Sequence, residues 1–137
     1  MARRILLITV AVLLAILGGW LWGASGTSAL GRTLAASELR GDLLEGRAAV
    51  LEGRLDVYSV NFGEASRHLE TARSAIRAAR ARLADLSRQD DVNRLDLALT
   101  RIDEAQRLAG QLNQDANARA GEAAKAIADV LGPASVK

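Results

Sequence analysis

The sequence predicts an all-α protein: an N-terminal single transmembrane helix followed by four helices arranged as a four-helix bundle or as stacked helical hairpins. Three observations predict it. Apolar residues recur at steps of three and four from residue 39 onward, the spacing of one face of a helix. One proline and 3% aromatic residues suit helices better than a sheet. An uncharged run over residues 5–22 is long enough to reach across a bilayer. With 137 residues, the chain has room for one modest domain.

Residues 5–22 are apolar nearly throughout, and at ~1.5 Å per residue they just span the ~30 Å hydrocarbon layer. Arg3 and Arg4 precede the run and Trp20 and Trp22 close it. Basic residues favour the cytoplasmic side and tryptophans the interface. Residues 1–4 are therefore expected to be a cytoplasmic basic flank, and residues 5–22 a signal anchor in the cell membrane. Everything after about residue 26 then lies outside, in the periplasm if the cell is Gram-negative. A cleaved signal peptide is the competing expectation, with Thr27, Ser28 and Ala29 as small residues at a cleavage point and a secreted helical protein as the product. The run exceeds the usual apolar core of ~7–15 residues, and two tryptophans suit an anchor better. Residues 23–28, glycine- and serine-rich, are expected to hinge, unless the glycines stay helical and join the two segments.

The helical domain is expected over residues 29–132, with a short tail over 133–137. Its first helix, from about residue 28 to 60, has two apolar faces. Gly41, Leu44, Ala48, Leu51, Leu55 and Tyr58 form one, extended backward by Leu30 and Leu34. Leu39, Leu43, Gly46, Val50, Gly53, Val57 and Val60 form the other. The phrase Leu44-Glu45-Gly46-Arg47 returns as Leu51-Glu52-Gly53-Arg54, with a looser copy in Glu38-Leu39-Arg40. With Leu44 and Leu51 at heptad positions d, the glutamates fall at e and the arginines at g, beside the seam. A helical glycine costs about 1 kcal/mol against alanine, so Gly46 and Gly53 point to close approach of another helix.

Residues 61–63 should break this helix, because asparagine and glycine tolerate left-handed backbone. The second helix then carries Phe62, Ala65, Leu69, Ala72, Ile76, Ala79, Leu83 and Leu86 in one register. The short connection folds it antiparallel onto the first. Its stripe is expected to take the Leu44, Leu51 and Leu55 face. The Gly46 and Gly53 face is then covered by helices three and four, or becomes a candidate interface for another protein helix, from a second copy or a membrane-complex subunit. Arg73, Arg77 and Arg80 form a candidate basic stripe, expected to face the acidic edge of the first helix, with Asp42 opposite Arg82.

A polar turn over residues 87–91 leads to helix three, with Val92, Leu95, Leu99, Ile102, Ala105, Ala109 and Leu112 on its inner face. A second polar turn over 113–115 leads to helix four, with Ala116, Ala120, Ala123, Ala124, Ile127 and Leu131. Gly132 and Pro133 stop it.

Around the first turn, Gly53, Asn61, Phe62, Glu64, Ala65, Leu69 and Ala72 resemble a tetratricopeptide (TPR-like) helical hairpin. Ala120, Ala124 and Ile127 echo it in the second hairpin, while Ala49 and Glu52 stand where that repeat has large apolar residues. The resemblance covers about a quarter of the chain and implies stacked hairpins that present a groove to peptides.

Little in the sequence offers chemistry. The net charge of +2 comes from Arg3 and Arg4: without them the basic residues fall from 18 to 16, equal to the 16 acidic ones. No basic patch is interleaved with aromatics, so nucleic acid is not an expected partner. Without cysteine there is neither a disulfide nor a thiolate. His68, the one histidine, lacks partners of the kind zinc sites gather. Glu38, Asp42, Glu45, Glu52 and Asp56 lie along one side of the first helix, without the Glu-x-x-His pairs of di-iron bundles. No enzyme activity, metal or cofactor is expected. The expected function is a membrane-anchored helical interaction module, an adaptor, scaffold or accessory subunit. A bundle holding a small apolar ligand or lipid is the alternative.

Overall fold

The computed structural model describes the backbone of residues 2–132 and the side chains of residues 30–132. Its elements are α1 (Ala2–Tyr58), α2 (Phe62–Asp85), α3 (Gln89–Gly110) and α4 (Ala116–Leu131). The chain divides into two units, residues 1–36 and residues 37–137. The first contains only α1 among the described residues, and the backbone is helical over residues 23–28, where a hinge was expected. Among the described residues, no helix is long and apolar enough to cross a membrane. The expected span, residues 5–22, lies outside the described side chains.

In the second unit, four helices pack in a bundle. The α2 stripe is buried from Phe62 through Ala65, Leu69, Ala72, Ile76 and Ala79 to Leu83, while Leu86 ends the helix in solvent. From α3 come Val92, Leu95, Ala98, Ile102, Ala105 and Ala109, and from α4 Ala120, Ala123, Ala124, Ala126, Ile127 and Val130. Alanines dominate the α4 contribution, so this helix seats closely but adds little apolar area.

The two faces of α1 trade the roles expected of them. Leu39, Leu43, Gly46, Val50, Gly53 and Val57 are buried, and this is the face that meets α2. A Cβ on Gly46 would lie 2.5 Å from Ile76 Cδ1, and one on Gly53 would lie 3.2 Å from Leu69 Cγ. The physical reason combines fit and charge. Two glycines let Ile76 and Leu69 settle against the α1 backbone. The same rotation brings the acidic edge to its partners: Arg82 donates to Asp42 at 2.8 Å and to Glu38 at 2.6 Å, and His68 Nδ1 lies 2.6 Å from Asp56 Oδ2. Val60 belongs to this face in sequence but sits in the turn, mostly exposed.

Antiparallel pairing continues through the bundle in fixed register. Arg80 donates to Asp96 at 3.0 Å and Arg73 to Asp103 at 3.3 Å, so seven residues back along α2 match seven forward along α3. Between α3 and α4, Arg101 pairs with Glu122 at 2.8 Å and Arg119 with Glu104 at 3.4 Å. Arg54 of α1 closes the ring onto α4, donating to Asn117 Oδ1 at 3.1 and 3.2 Å and accepting from Asn117 Nδ2 at 3.2 Å through its carbonyl.

All three connections share one geometry. After α1, Val60 N–H donates to Val57 O and Asn61 N–H to Asp56 O; Ser87 with Arg88, and Leu112 with Asn113, repeat the pair. These crossed bonds satisfy the last carbonyls of each helix and require a left-handed residue just beyond it. That residue is Val60 (φ 62°), Ser87 (φ 56°) or Leu112 (φ 55°). The expected breakers Asn61 and Gly63 do not provide it: Asn61 precedes α2 and Gly63 lies inside it.

Candidate functional site

Of the expected interface, Leu39, Leu43, Gly46, Val50, Gly53 and Val57 lie inside the bundle and offer nothing to an outside helix in this fold. The expected basic stripe does not act as one surface. Arg80 and Arg73 are committed to Asp96 and Asp103 of α3 rather than to α1, and Arg73 also pairs with Glu70. Arg77 is exposed and makes no ion pair among the described residues.

Turning the glycine face inward leaves the other α1 face outward. Leu44 is 46% exposed, Leu55 68% and Tyr58 78%, with Leu51 half-buried between them and Gly41 and Ala48 open to solvent. These residues keep steps of three and four, so the exposed seam continues for five helical turns. A contiguous apolar strip of this kind marks interaction surfaces, whereas scattered leucines do not. Two grooves flank it where α1 meets α4. One, of about 460 Å³, is lined by Leu51, Arg54, Leu55, Tyr58 and Asn117. The other, of about 260 Å³, is lined by Leu44, Arg40, Arg47, Ala128, Leu131 and Gly132. Both open on the outer surface.

Charge is sorted along the seam. Arg40, Arg47 and Arg54 run down the α4 side, and Glu38, Glu45 and Glu52 down the opposite side. Arg54 is held by Asn117, Glu38 by Arg82, and Glu52 lies 3.6 Å from His68 Nε2. Arg40, Arg47 and Glu45 are exposed and make no ion pair among the described residues.

His68, for which the sequence pattern offers no metal-binding partners, sits between Asp56 and Glu52 of α1. Their positions at i and i+4 on α1, opposite His68 across the first turn, were the signal. No group of three His, Cys, Asp or Glu side chains able to hold a metal ion occurs among the described residues. The strongest electrostatic effects lie on structural pairs. Hydrogen bonding from Arg80 holds Asp96 below its ordinary value, Arg73 and then Gln106 do the same for Glu70, and Arg101 for Glu104. No family model, curated protein or solved structure matches the chain.

Proposed function

We propose that the chain is a single-pass membrane-anchored helical interaction module, an adaptor or accessory subunit whose bundle sits on the extracytoplasmic side. The observation that carries this reading is the unpartnered apolar seam of Leu44, Leu51, Leu55 and Tyr58, which has the spacing that receives a helix. The uncharged residues 5–22, with Arg3 and Arg4 before them and Trp20 and Trp22 at their end, support the anchor and its orientation. The apolar side chains in the larger groove favour, as a second reading, a small apolar ligand or lipid. That groove lies on the surface and is shared with Arg54 and Asn117, which suits the edge of a docked helix better.

The test places a photoreactive residue at Leu44 or Leu55 of the full chain in cells, with Leu97 on α3 as an exposed apolar control. The expected result is a discrete protein adduct from the seam positions only, in a chain that resists extraction of its membranes with alkaline carbonate. Labelling no stronger at Leu55 than at Leu97, or release of the chain by carbonate, sinks the reading.

A further inference from the structure

We infer that the helix received by this seam is α1 of a second copy of the same chain, in parallel and in register. The inference rests on the interaction reading above and adds the partner's identity and direction. It follows from where the charges stand. With Leu44, Leu51 and Tyr58 at d and Gly41, Ala48 and Leu55 at a, the g positions are Arg40 and Arg47 and the e positions of the following heptads are Glu45 and Glu52. In a parallel pair, each g residue lies beside the e residue five positions later on the other helix. Arg40 then meets the second copy's Glu45, and Arg47 its Glu52, twice each by symmetry.

An antiparallel pair would set arginines against arginines and glutamates against glutamates, which is repulsive. Three of these four groups, Arg40, Arg47 and Glu45, make no ion pair within their own copy, and all four are exposed, so pairing breaks no internal ion pair except the His68 contact of Glu52. At the core of the seam, Gly41 and Ala48 at a alternate with Leu44 and Leu51 at d and allow the two backbones to close there, while Leu55 and Tyr58 meet their copies at its far end. Two copies in one membrane also share the same orientation to the bilayer, which favours parallel encounters.

The test uses the full chain in detergent micelles, with mass measured by analytical ultracentrifugation. Wild type is expected to be a dimer. Arg40→Glu with Arg47→Glu makes both flanks acidic, and Glu45→Arg with Glu52→Arg makes both basic. Each double variant alone should associate at least roughly tenfold more weakly. Mixed together, the two should form a heterodimer, an outcome that misfolding of either would prevent. Because the natural chain has no cysteine, Ala48→Cys should oxidise to a disulfide with its own copy, while Ala78→Cys, exposed on α2, should not. A monomeric wild type, or double variants that dimerise as well as wild type and fail to prefer each other, overturns the inference. Seam adducts in cells that contain a different protein and no second copy overturn it too, while leaving the interaction reading intact. Absence of any seam adduct removes both.

Discussion

Val60 shows how a turn can override a residue's own preference. A β-branched side chain at φ 62° is strained, because its Cβ crowds the following carbonyl. It is tolerated because the helix must end there if Val57 and Phe62 are both to reach the core, with the crossed bonds to Val57 O and Asp56 O fixing the geometry. Glycine would adopt the same backbone freely, and Val60 is 62% exposed, so its replacement forfeits little burial. Relief of roughly 1–2 kcal/mol of left-handed strain, less ~0.5–1 kcal/mol for the freer unfolded chain, should leave Val60→Gly more stable by up to about 1.5 kcal/mol. Leu112→Gly should gain in the same direction, since Leu112 is also left-handed and exposed. The check is the urea midpoint of the full chain: a fall for Val60→Gly would mean that its side chain does something the turn geometry does not explain.

At the scale of the element, the glycines of α1 are not equivalent. Nothing lies within 4 Å of a Cβ built on Gly41, whereas one on Gly46 would overlap Ile76, a side chain with no exposed surface. Gly41→Ala should therefore stabilise by up to about 1 kcal/mol through helix propensity. Gly46→Ala should lose that gain and more, because overpacking costs roughly 1–3 kcal/mol. Gly53→Ala, at 3.2 Å from Leu69, should fall between them. Denaturation of the three variants orders them directly, and a Gly46→Ala chain as stable as Gly41→Ala would deny the close approach. This contrast also shows what periodicity reveals. In α2 one clear stripe against a polar background left a single choice, and every residue of it up to Leu83 is buried. In α3 and α4 most of the inner face was found, but Leu112, expected on it, lies in the turn and is exposed; Ala98 and Ala126 were missed because alanine is common on both faces and carries little pattern, and Val130 was missed beside the half-buried Leu131. In α1 both faces were legible and their assignment was not, since side-chain size pointed to the leucines while glycine fit and the His68 partner of Asp56 decided otherwise; the pairing of Asp42 with Arg82 is as expected. Thus the seam was read from the sequence, but as the inner face of a helical pair.

Across the whole molecule, the bundle is tied together by charges at its helix seams, and acid should loosen it in a defined direction. Glu70, Asp96 and Glu104 all titrate below their ordinary values of 4.5, 3.8 and 4.5 in the folded chain, through hydrogen bonds from Arg73, Arg80 and Arg101. A carboxyl group so lowered binds fewer protons folded than unfolded, so its contribution is present above the ordinary value and is lost as pH falls through the folded one. The three groups are solvent-screened, so each contribution is small, but each makes a contact to a neighbouring helix. The melting temperature of the full chain followed by circular dichroism should hold steady down to about pH 5 and then decline toward about pH 3. Asp96→Asn with Glu104→Gln should start lower at neutral pH, because the charge-assisted bonds from Arg80 and Arg101 and the ion pair with Arg119 are gone. It should then decline less steeply, because fewer lowered carboxyls remain to be protonated. An acid limb of unchanged slope in that double variant would place the acid sensitivity outside Asp96 and Glu104 and would deny that their bonds from Arg80 and Arg101 set it.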